Sequence, residues 1–418
     1  GESLQSGYDP ETDRWSQTVL PNGSSPSNFV SAGNGFVYFT AVVPDGPPDA
    51  DGSQRYHDGV WRTDGTAVGT QQVLLFEDES DPILGLLSIN GEVFLTKSTV
   101  NWDGNGSSTD ISIWDLTSGA NPQLLVDGVS LPGGYYGSYS NEGLVAQVGN
   151  GPFVFGLGPD LWRSDGTSGG TQSFYRGGGS YPRAHSFVAH GDAVYFTADF
   201  GADGFELWRT DGTAPGTFLV RDIAQGSYSY DGGNTTYPND SYPGSFLSTD
   251  FGLFFLADDV VHGYELWVTD GTGEGTRLVR DLTPGQSEGY DGEMRGNASD
   301  ISRLVQMGSD VYFVLNTKEL WATDGTAAGT RMIRDLNGDA PDQPAVGSGS
   351  YASMAVLTNS DGEQRLLFSG YDGDNRTVLW TSDGTFDGTQ PVFGAAAPAA
   401  PLVDFNGDGI ADTLWQQS

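Results

Sequence analysis

A run of acidic and amide residues near the end of the chain has the spacing of a loop that holds a hard cation. The segment DFNGDGIAD covers residues 404–412 and places oxygen-bearing groups at alternating positions, with a glycine that permits a sharp turn. Such ligands suit Ca²⁺, whose coordination is flexible. We therefore predict a structural calcium site that pins this turn, the alternative being an Asp/Asn-rich turn without metal. The predicted ligands are Asp404, Asn406, Asp408, Ile410 through its carbonyl, and Asp412.

Acid–base chemistry near neutral pH would depend on histidine, and the chain has four. His190 precedes a Gly-Asp turn and His185 begins a predicted strand, which indicates structural roles for both. His57 and His262 lie near predicted turns and are weak catalytic candidates. The carboxylates are too numerous to select a pair, and no G-x-S-x-G, H-E-x-x-H or phosphate loop is present. No catalytic residue is therefore assigned, and the lack of cysteine excludes thiol chemistry.

Tyr, Ser, Gly and Asp are concentrated in long insertions between the predicted strands. Tyr gives contact area at low entropic cost, and Ser, Asn and Asp give adaptable hydrogen bonds, which is typical of recognition surfaces. The alternative is that these loops only pack against one another. The predicted ligand-binding residues are Tyr135, Tyr136, Tyr139, Tyr181, Tyr228, Tyr230, Tyr237, Tyr242, Tyr290, Asp231, Asp240 and Asp291.

Six N-x-S/T sequons also fall in predicted loops, where they would mark exposed surface if the source glycosylates its proteins. They begin at Asn22, Asn105, Asn234, Asn239, Asn297 and Asn375.

A sequence repeat must position these loops. The stretch ELWRTDGTAPGT (206–217) recurs in related forms, and a worn copy, SIWDLTSGANPQLLV (112–126), has lost the Asp-Gly-Thr. Spacings of 46 to 59 residues with strand-like content are typical of a propeller or a similar radial array of sheets. The tryptophans that align the copies are Trp61, Trp114, Trp162, Trp208, Trp267, Trp321 and Trp380.

Each period predicts four short antiparallel strands with alternating or β-branched composition, as in residues 185–192, 193–199, 205–210 and 217–223. The Trp lies on the third strand, where a large ring can fill the space between neighbouring sheets. Asp-Gly predicts a hairpin turn to the fourth strand, because Gly accepts positive φ and Asp can bond the backbone two residues on. We therefore interpret the repeated residues as structural: in each copy the Trp packs between sheets and the Asp-Gly forms the turn.

The repeats resemble the ELWxxDGT-repeat family, large bacterial surface or secreted proteins expected to form β-propellers. The resemblance covers residues 28–393 and depends on Trp, Asp-Gly-Thr and Gly-Thr recurring in one order. It implies an extracellular location more than any activity. The C-terminal segment PLVDFNGDGIADTLW (401–415) is similar to FG-GAP or VCBS propeller repeats, in which a calcium loop joins the first two strands of a blade.

The tryptophan copies predict an all-β fold, a single β-propeller domain over residues 1–418 with seven four-stranded blades. We expect an eighth blade, to which residues 397–418 give two inner strands and residues 1–27 two outer strands, because an open ring leaves unpaired edges. Seven blades with both ends outside the ring is the alternative. In either case, second-to-third turns and blade links should share one face, which then carries the long insertions.

The net charge of −37 among 418 residues disfavours nucleic acid and anionic membranes as partners. It fits solubility in a salty habitat, with some carboxylates used for calcium. A start at Gly1 instead of Met predicts a processed precursor, and we expect a secreted or cell-surface protein without membrane insertion.

Binding or a structural role is favoured over catalysis. We expect a calcium-stabilised surface module for adhesion or assembly, with a glycan, a surface protein or copies of itself as partner. The alternative is a secreted polysaccharide-degrading enzyme, a lyase or glycoside hydrolase, with its site at the channel mouth.

Overall fold

The computed structural model describes most of the repeat region, and all regular structure in the described part is β. No helix occurs there, so no helix that could cross a membrane is found in these ranges. The described residues are 8–9, 14–15, 26–32, 34–44, 56–76, 83–89, 92–102, 107–117, 122–131, 145–157, 160–165, 167, 169–178, 183–201, 203–229, 235–288, 294–336, 354–359, 361–371 and 377–392.

Within these ranges the strands form seven four-stranded antiparallel sheets, each a simple meander in chain order. The first three are β3 (Ser27–Ser31), β4 (Val37–Pro44), β5 (Tyr56–Thr63) and β6 (Gln71–Leu75); β7 (Ile83–Ile89), β8 (Glu92–Trp102), β9 (Ser107–Asp115) and β10 (Gln123–Leu131); and β11 (Val145–Gln147), β12 (Phe153–Leu157), β13 (Asp160–Ser164) and β14 (Gln172–Arg176). The fourth and fifth are β15 (Arg183–His190), β16 (Ala193–Asp199), β17 (Glu206–Thr210) and β18 (Phe218–Arg221); and β21 (Gly244–Thr249), β22 (Gly252–Asp258), β23 (Tyr264–Thr269) and β24 (Arg277–Leu278). The last two are β27 (Ile301–Met307), β28 (Asp310–Leu315), β29 (Glu319–Thr323) and β30 (Arg331–Asp335); and β31 (Met354–Thr358), β32 (Gln364–Tyr371), β33 (Thr377–Ser382) and β34 (Gln390–Pro391).

Three two-stranded hairpins accompany these sheets: β1 (Tyr8–Asp9) with β2 (Arg14–Trp15), β19 (Ser227–Tyr228) with β20 (Tyr237–Pro238), and β25 (Gln286–Glu288) with β26 (Met294–Gly296). The predicted four strands per period and the all-β class are therefore confirmed. Beyond the β1–β2 pair, the segments expected to close a further blade lie outside the described residues, so the closing blade stays a prediction.

The chain divides into two compact units, residues 1–201 with 209–218, and residues 202–208 with 219–418.

Consecutive sheets within each unit share a hydrophobic core. In the first unit, buried Tyr38 of the first sheet packs in one cluster with Leu95 of the second. In the second unit, Phe254 clusters with Phe313, and Leu320 clusters with Leu366 of the next sheet. The second strands are almost entirely buried because both of their faces are covered, which explains their continuous apolar sequences.

A first-strand bulge with one residue in the left-handed region recurs in four of the sheets and was not anticipated from the sequence. One residue in each bulge has φ between 51° and 62°, in the left-handed region. The register shifts at the same places, so the bulge re-aims the side chains that follow it. The four residues are Asn28, Ser186, Ser245 and Arg303.

The Asp-Gly-Thr turn is a self-contained hydrogen-bond network, as its fifth-sheet copy shows. Asp270 Oδ1 accepts bonds from Thr272 N at 2.9 Å and Oγ1 at 2.7 Å. Thr272 Oγ1 in turn accepts from Gly275 N at 3.0 Å, and its carbonyl accepts from Thr276 Oγ1 at 2.7 Å. These donors hold the pKa of Asp270 below its ordinary value. The same Asp-to-Thr bonds recur at Asp64, Asp165, Asp211, Asp324 and Asp383.

Three arginines of the second unit, each on or just after the fourth strand of a sheet, contact the sheet that follows. Arg280 lies 5.9 Å from the ring centroid of Trp321, and its Nη1 donates to the Thr330 carbonyl at 2.9 Å. The repeated Trp is therefore capped by the preceding sheet, which confirms its predicted place between sheets in this unit. The equivalent arginines are Arg221, which donates to Thr276 over Trp267, and Arg334, which donates to Thr389 over Trp380.

Arg280→Met is expected to lower the free energy of unfolding by about 1–2 kcal/mol, because it leaves the Thr330 carbonyl without its donor and removes the cation from Trp321. Met keeps most of the apolar stem, which isolates the guanidinium. Chemical denaturation measures the change. Arg176→Met is the control, because that side chain is 75% exposed and lies 3.9 Å from its carboxylate partner. Equal losses in the two variants would contradict this role.

Candidate functional site

Most of the predicted site residues lie outside the described residues. This holds for the whole predicted calcium loop, so the structure does not test it. The predicted ligand-binding residues in this position are Tyr135, Tyr136, Tyr139, Tyr181, Tyr230, Tyr290, Asp231 and Asp291, and the sequons are Asn22, Asn105, Asn234 and Asn375. Among the residues that the structure does describe, no group of three or more His, Asp or Glu could hold a metal ion.

The links that follow the fourth and fifth sheets each contain a short hairpin, β19–β20 and β25–β26. Both hairpins pack against the second-to-third turn of the sheet before them. A Cβ on Gly204 would lie 2.3 Å from the Asn239 carbonyl oxygen, and one on Gly263 would lie 2.6 Å from that of Asn297, so only glycine fits. In the second unit, turns and links therefore share one face, as predicted.

Glu206, the first residue of the repeat, anchors the first of these links. Its side chain is fully buried and accepts hydrogen bonds from Ser241 Oγ at 2.5 Å, Ile223 N at 2.9 Å and Ala224 N at 3.1 Å. Burial raises the pKa of Glu206 to about 7, with nearby Asp222 adding to the rise and the three donors opposing it. The carboxylate therefore ties residues near both ends of the link to strand β17.

Glu265 repeats this arrangement one period later. It is also fully buried and accepts from Ser299 Oγ at 2.5 Å and Leu282 N at 3.4 Å. Burial again raises the pKa to about 7, with a contribution from Asp281. The Glu of the repeat is thus a structural anchor, which the motif alone did not reveal.

Aromatic side chains lie along the first link. Tyr228 and Tyr237 stack across the hairpin with ring centroids 5.7 Å apart, and Tyr242 stacks on Phe205 at 5.4 Å. Tyr264 Oη donates to the Tyr242 carbonyl at 3.3 Å, which connects this cluster to the turn of the fifth sheet. The structure therefore brings together three of the predicted tyrosines on one link.

The turn of the fifth sheet carries His262 and a strained backbone. Asp259 accepts from His262 N and bonds the ring Nδ1, both at 2.7 Å, and this bond raises the pKa of His262. Val260 has φ of 70°, an outlier for a β-branched residue. Val261 next to it is 61% exposed. The imidazole bonds to Asp259 of its own turn. Among the hydrogen bonds of the described residues, none joins the ring to a hydroxyl nucleophile.

Four other predicted site residues have structural surroundings. His57 lies half-buried on β5 opposite Val43. Asp240 Oδ1 accepts from Phe205 N at 2.8 Å and fixes the turn before β17. In the two described sequons, Asn239 Nδ2 donates to the Gln225 carbonyl at 2.9 Å, and Asn297 N donates to the Gly285 carbonyl. Their glycosylation stays a prediction.

Sequence reasoning missed two exposed residues, Val261 in this turn and Met294 in the hairpin beside it. Met294 on β26 is 55% exposed, and Gly296, on the same strand, donates its amide to the carbonyl of Val260. We call Tyr237, Tyr242, Val261 and Met294 the link-face row. The one signal in the sequence was the pair Val260 and Val261, two consecutive apolar residues in a predicted turn, where polar residues are usual.

No protein-family model matches the chain, and no curated protein matches it. Similar solved structures include Sqt1 of Chaetomium thermophilum, with 13% identity over 88% of this chain and 85% of that one and a TM-score of 0.46. Prolyl oligopeptidase B from Galerina marginata matches with 13% identity, 87% and 49% coverage and a TM-score of 0.43. The computationally designed Ika8 protein matches with 15% identity, 88% and 86% coverage and a TM-score of 0.41.

The chain spans about half the length of the prolyl oligopeptidase that it matches. Structural similarities with TM-scores this low do not indicate the activity of this chain. The class that the strands themselves define is all-β, built from consecutive four-stranded meanders.

Proposed function

We propose that the seven sheets are blades of a β-propeller of the ELWxxDGT type, and that it acts as a secreted or cell-surface binding or structural module. One observation carries this proposal. The repeated polar residues bond within their own turns or to neighbouring sheets, whereas four of the exposed aromatic and apolar side chains, Tyr237, Tyr242, Val261 and Met294, lie on the links and the turn that share one face. The repeat builds a scaffold, and the links present the recognition surface.

The partner is a glycan or a protein bound by this face. Tyr237 and Tyr242 are 45% and 53% exposed, and each is backed by a stacked ring. Rigid, half-exposed tyrosines are effective contact residues because little entropy is lost on binding. We further propose that calcium at residues 404–412 stabilises the fold without taking part in recognition.

A secreted polysaccharide-degrading enzyme is the second candidate. The His262–Asp259 pair favours it, since a carboxylate-oriented imidazole can move protons. The pair lies in a turn closed by its own hydrogen bonds, so binding is the better-supported function.

A single set of assays separates these functions. The chain is incubated with soluble polysaccharides and with immobilised peptides in the presence of calcium, and binding and new reducing ends are read from the same wells. We expect binding without product, reduced about tenfold by Tyr237→Ser with Tyr242→Ser. Product formation that His262→Gln abolishes would replace this proposal with the enzyme. The control is Phe251→Ser, an exposed aromatic residue in the first-to-second turn of the fifth sheet, at the opposite end of its strands from the links.

A further inference from the structure

We propose that the link-face row binds a cationic segment of a partner protein that also carries apolar side chains. This rests on the proposed binding function and names the class of partner. The row combines two phenol rings with a valine and a methionine. A purely polar ligand would leave the exposed apolar surface of Val261 and Met294 without a matching contact.

The row is continuous through hydrogen bonds and close backbone contacts. Tyr237 and Tyr242 are joined through the link that Gly204 and Asn239 hold in place. Tyr242 is bonded to Tyr264, the neighbour of Gly263. Gly263 packs against the second hairpin, which carries Met294.

The supporting backbone holds the row in a fixed arrangement. Val260 in the left-handed region is braced by the bond from its amide to Asp258 Oδ1 at 2.6 Å, and this conformation carries Val261 out to 61% exposure. Strained backbone of this kind persists only where the surroundings enforce it, and it is concentrated at functional sites. The corresponding turn before β17 has Gly201 and Ala202 at the sequence positions of the two valines, and among its described residues only Gly204 has positive φ.

Carboxylates lie at the row and favour a cationic partner: Asp240 accepts from the amide of Phe205, on which Tyr242 stacks, and Asp259 accepts from the amide of Val261 at 3.1 Å. Burial and, after it, the charge of Asp203 raise the pKa of Asp222, and burial and then the charge of Asp259 raise that of Asp258, so carboxylates lie close together at these turns and links. Arg295 lowers the pKa of Asp258, but Arg221 and Arg280 are turned to carbonyls of the next sheet. Anionic ligands are repelled by such a field, whereas Lys and Arg are attracted to it and also to the faces of tyrosine rings.

Charge alone cannot explain the apolar half of the row. Exposed apolar groups that lie together mark interaction sites, and a protein segment offers both cations and apolar side chains in one strand. A neutral glycan would use the tyrosines only. Charge complementarity and the two apolar residues therefore favour a protein segment.

The test uses the full chain and a fluorescent peptide that alternates Lys and Leu between Gly-Ser spacers. Its counterpart with Glu for Lys and a neutral soluble glucan are the comparison ligands. The row variant is Tyr237→Ser, Tyr242→Ser, Val261→Ser and Met294→Ser. The matched control replaces four residues exposed elsewhere, Phe251, Val68, Leu124 and Met332, by Ser.

Neither variant changes a charge, so unspecific attraction to an acidic protein would be the same for all three proteins. We expect the Lys peptide to bind wild type and control equally, with salt-dependent affinity, and the row variant about tenfold more weakly. Equal affinities for row variant and control would overturn the inference, as would a preference for the Glu peptide. Val261→Ser and Met294→Ser are also measured singly, in case the fourfold variant does not fold.

The outcome also separates this inference from the proposed function. Binding of the glucan at the row, without the Lys peptide, removes the inference and leaves the binding function standing. If the peptide, the glucan and the wider polysaccharide and peptide panels all fail to bind, both are removed.

Discussion

Replacing Gly170 by Ala is expected to lower the free energy of unfolding, while the same change at Gly169 leaves it unchanged or raises it slightly. The two glycines are neighbours in the Asp-Gly-Thr turn of the third sheet. A Cβ on Gly170 would lie 1.9 Å from Asp165 Oδ1, whereas one on Gly169 would meet nothing within 4 Å. The pair therefore separates the effect of packing from the effect of backbone entropy.

The loss at Gly170 arises from the hydrogen bonds that Asp165 must give up. Its Oδ1 accepts from Thr167 N at 3.0 Å and from Thr167 Oγ1 at 2.7 Å. A methyl group forces the carboxylate away from both donors, and bonds to a charged acceptor are each worth more than ordinary ones. Ala at position 169 has room and also restricts the unfolded chain, so it is neutral or slightly stabilising.

Denaturant unfolding of the two variants measures the difference. The equivalent changes Gly216→Ala and Gly275→Ala should give losses of the same size, because their Cβ positions lie 2.0 Å from Asp211 and Asp270. If Gly170→Ala and Gly169→Ala proved equally stable, the Asp165 carboxylate would have another position of equal energy. The Asp-to-Thr hydrogen bonds would then not explain why the repeat has glycine at this position.

Local features of the fold could be predicted from the sequence because they depend on neighbouring residues. The strand at residues 193–199 has an apolar run bounded by turn residues, and β16 has those same bounds. The Asp-Gly-Thr turn follows from bonds between residues two to four apart, as in Asp270 and Thr272. The shared face of turns and links follows from the connectivity of a meander.

Long-range contacts could not be predicted in the same way. Ser241 reaches Glu206 across 35 residues and Arg280 reaches Thr330 across 50, and no local pattern encodes either partner. The Glu of the motif reads as an ordinary surface acid, since acids are rarely buried without compensation. The strained Val260 and the bulges with left-handed Ser186 or Ser245 are imposed by tertiary packing on residues that do not favour them.

The stability of the chain is expected to fall as pH rises from 5 to 8, with Glu206 and Glu265 as the main cause. Their pKa values are about 7 in the folded chain and near 4.5 when unfolded. Between these values the folded state binds more protons, so stability is full below about pH 4.5 and is lost as pH rises through 7. The shift corresponds to about 3 kcal/mol for each residue.

Other groups can be separated from this effect. The lowered pKa values of Asp64, Asp165, Asp270, Asp324 and Asp383 affect stability only below about pH 4, outside the window. The raised pKa of His262 acts in the same direction as the two glutamates, and the lowered pKa of His190 acts in the opposite direction. His262→Gln therefore serves as the background in which the glutamate variants are compared.

The measurement compares unfolding of the chain with Glu206→Gln and Glu265→Gln at pH 5, 6, 7 and 8. Gln cannot ionise, so the stability advantage of the parent over each variant should shrink by about 2.5 kcal/mol between pH 5 and pH 8. Glu319→Gln is the control at the same motif position, because that side chain is half-buried and accepts from Trp321 Nε1 at 2.8 Å. An advantage that stays constant would mean that Ser241 and the two amides keep Glu206 ionised despite its burial. That result would still leave the carboxylate as the anchor of the link, since removing it would strand three buried donors at every pH.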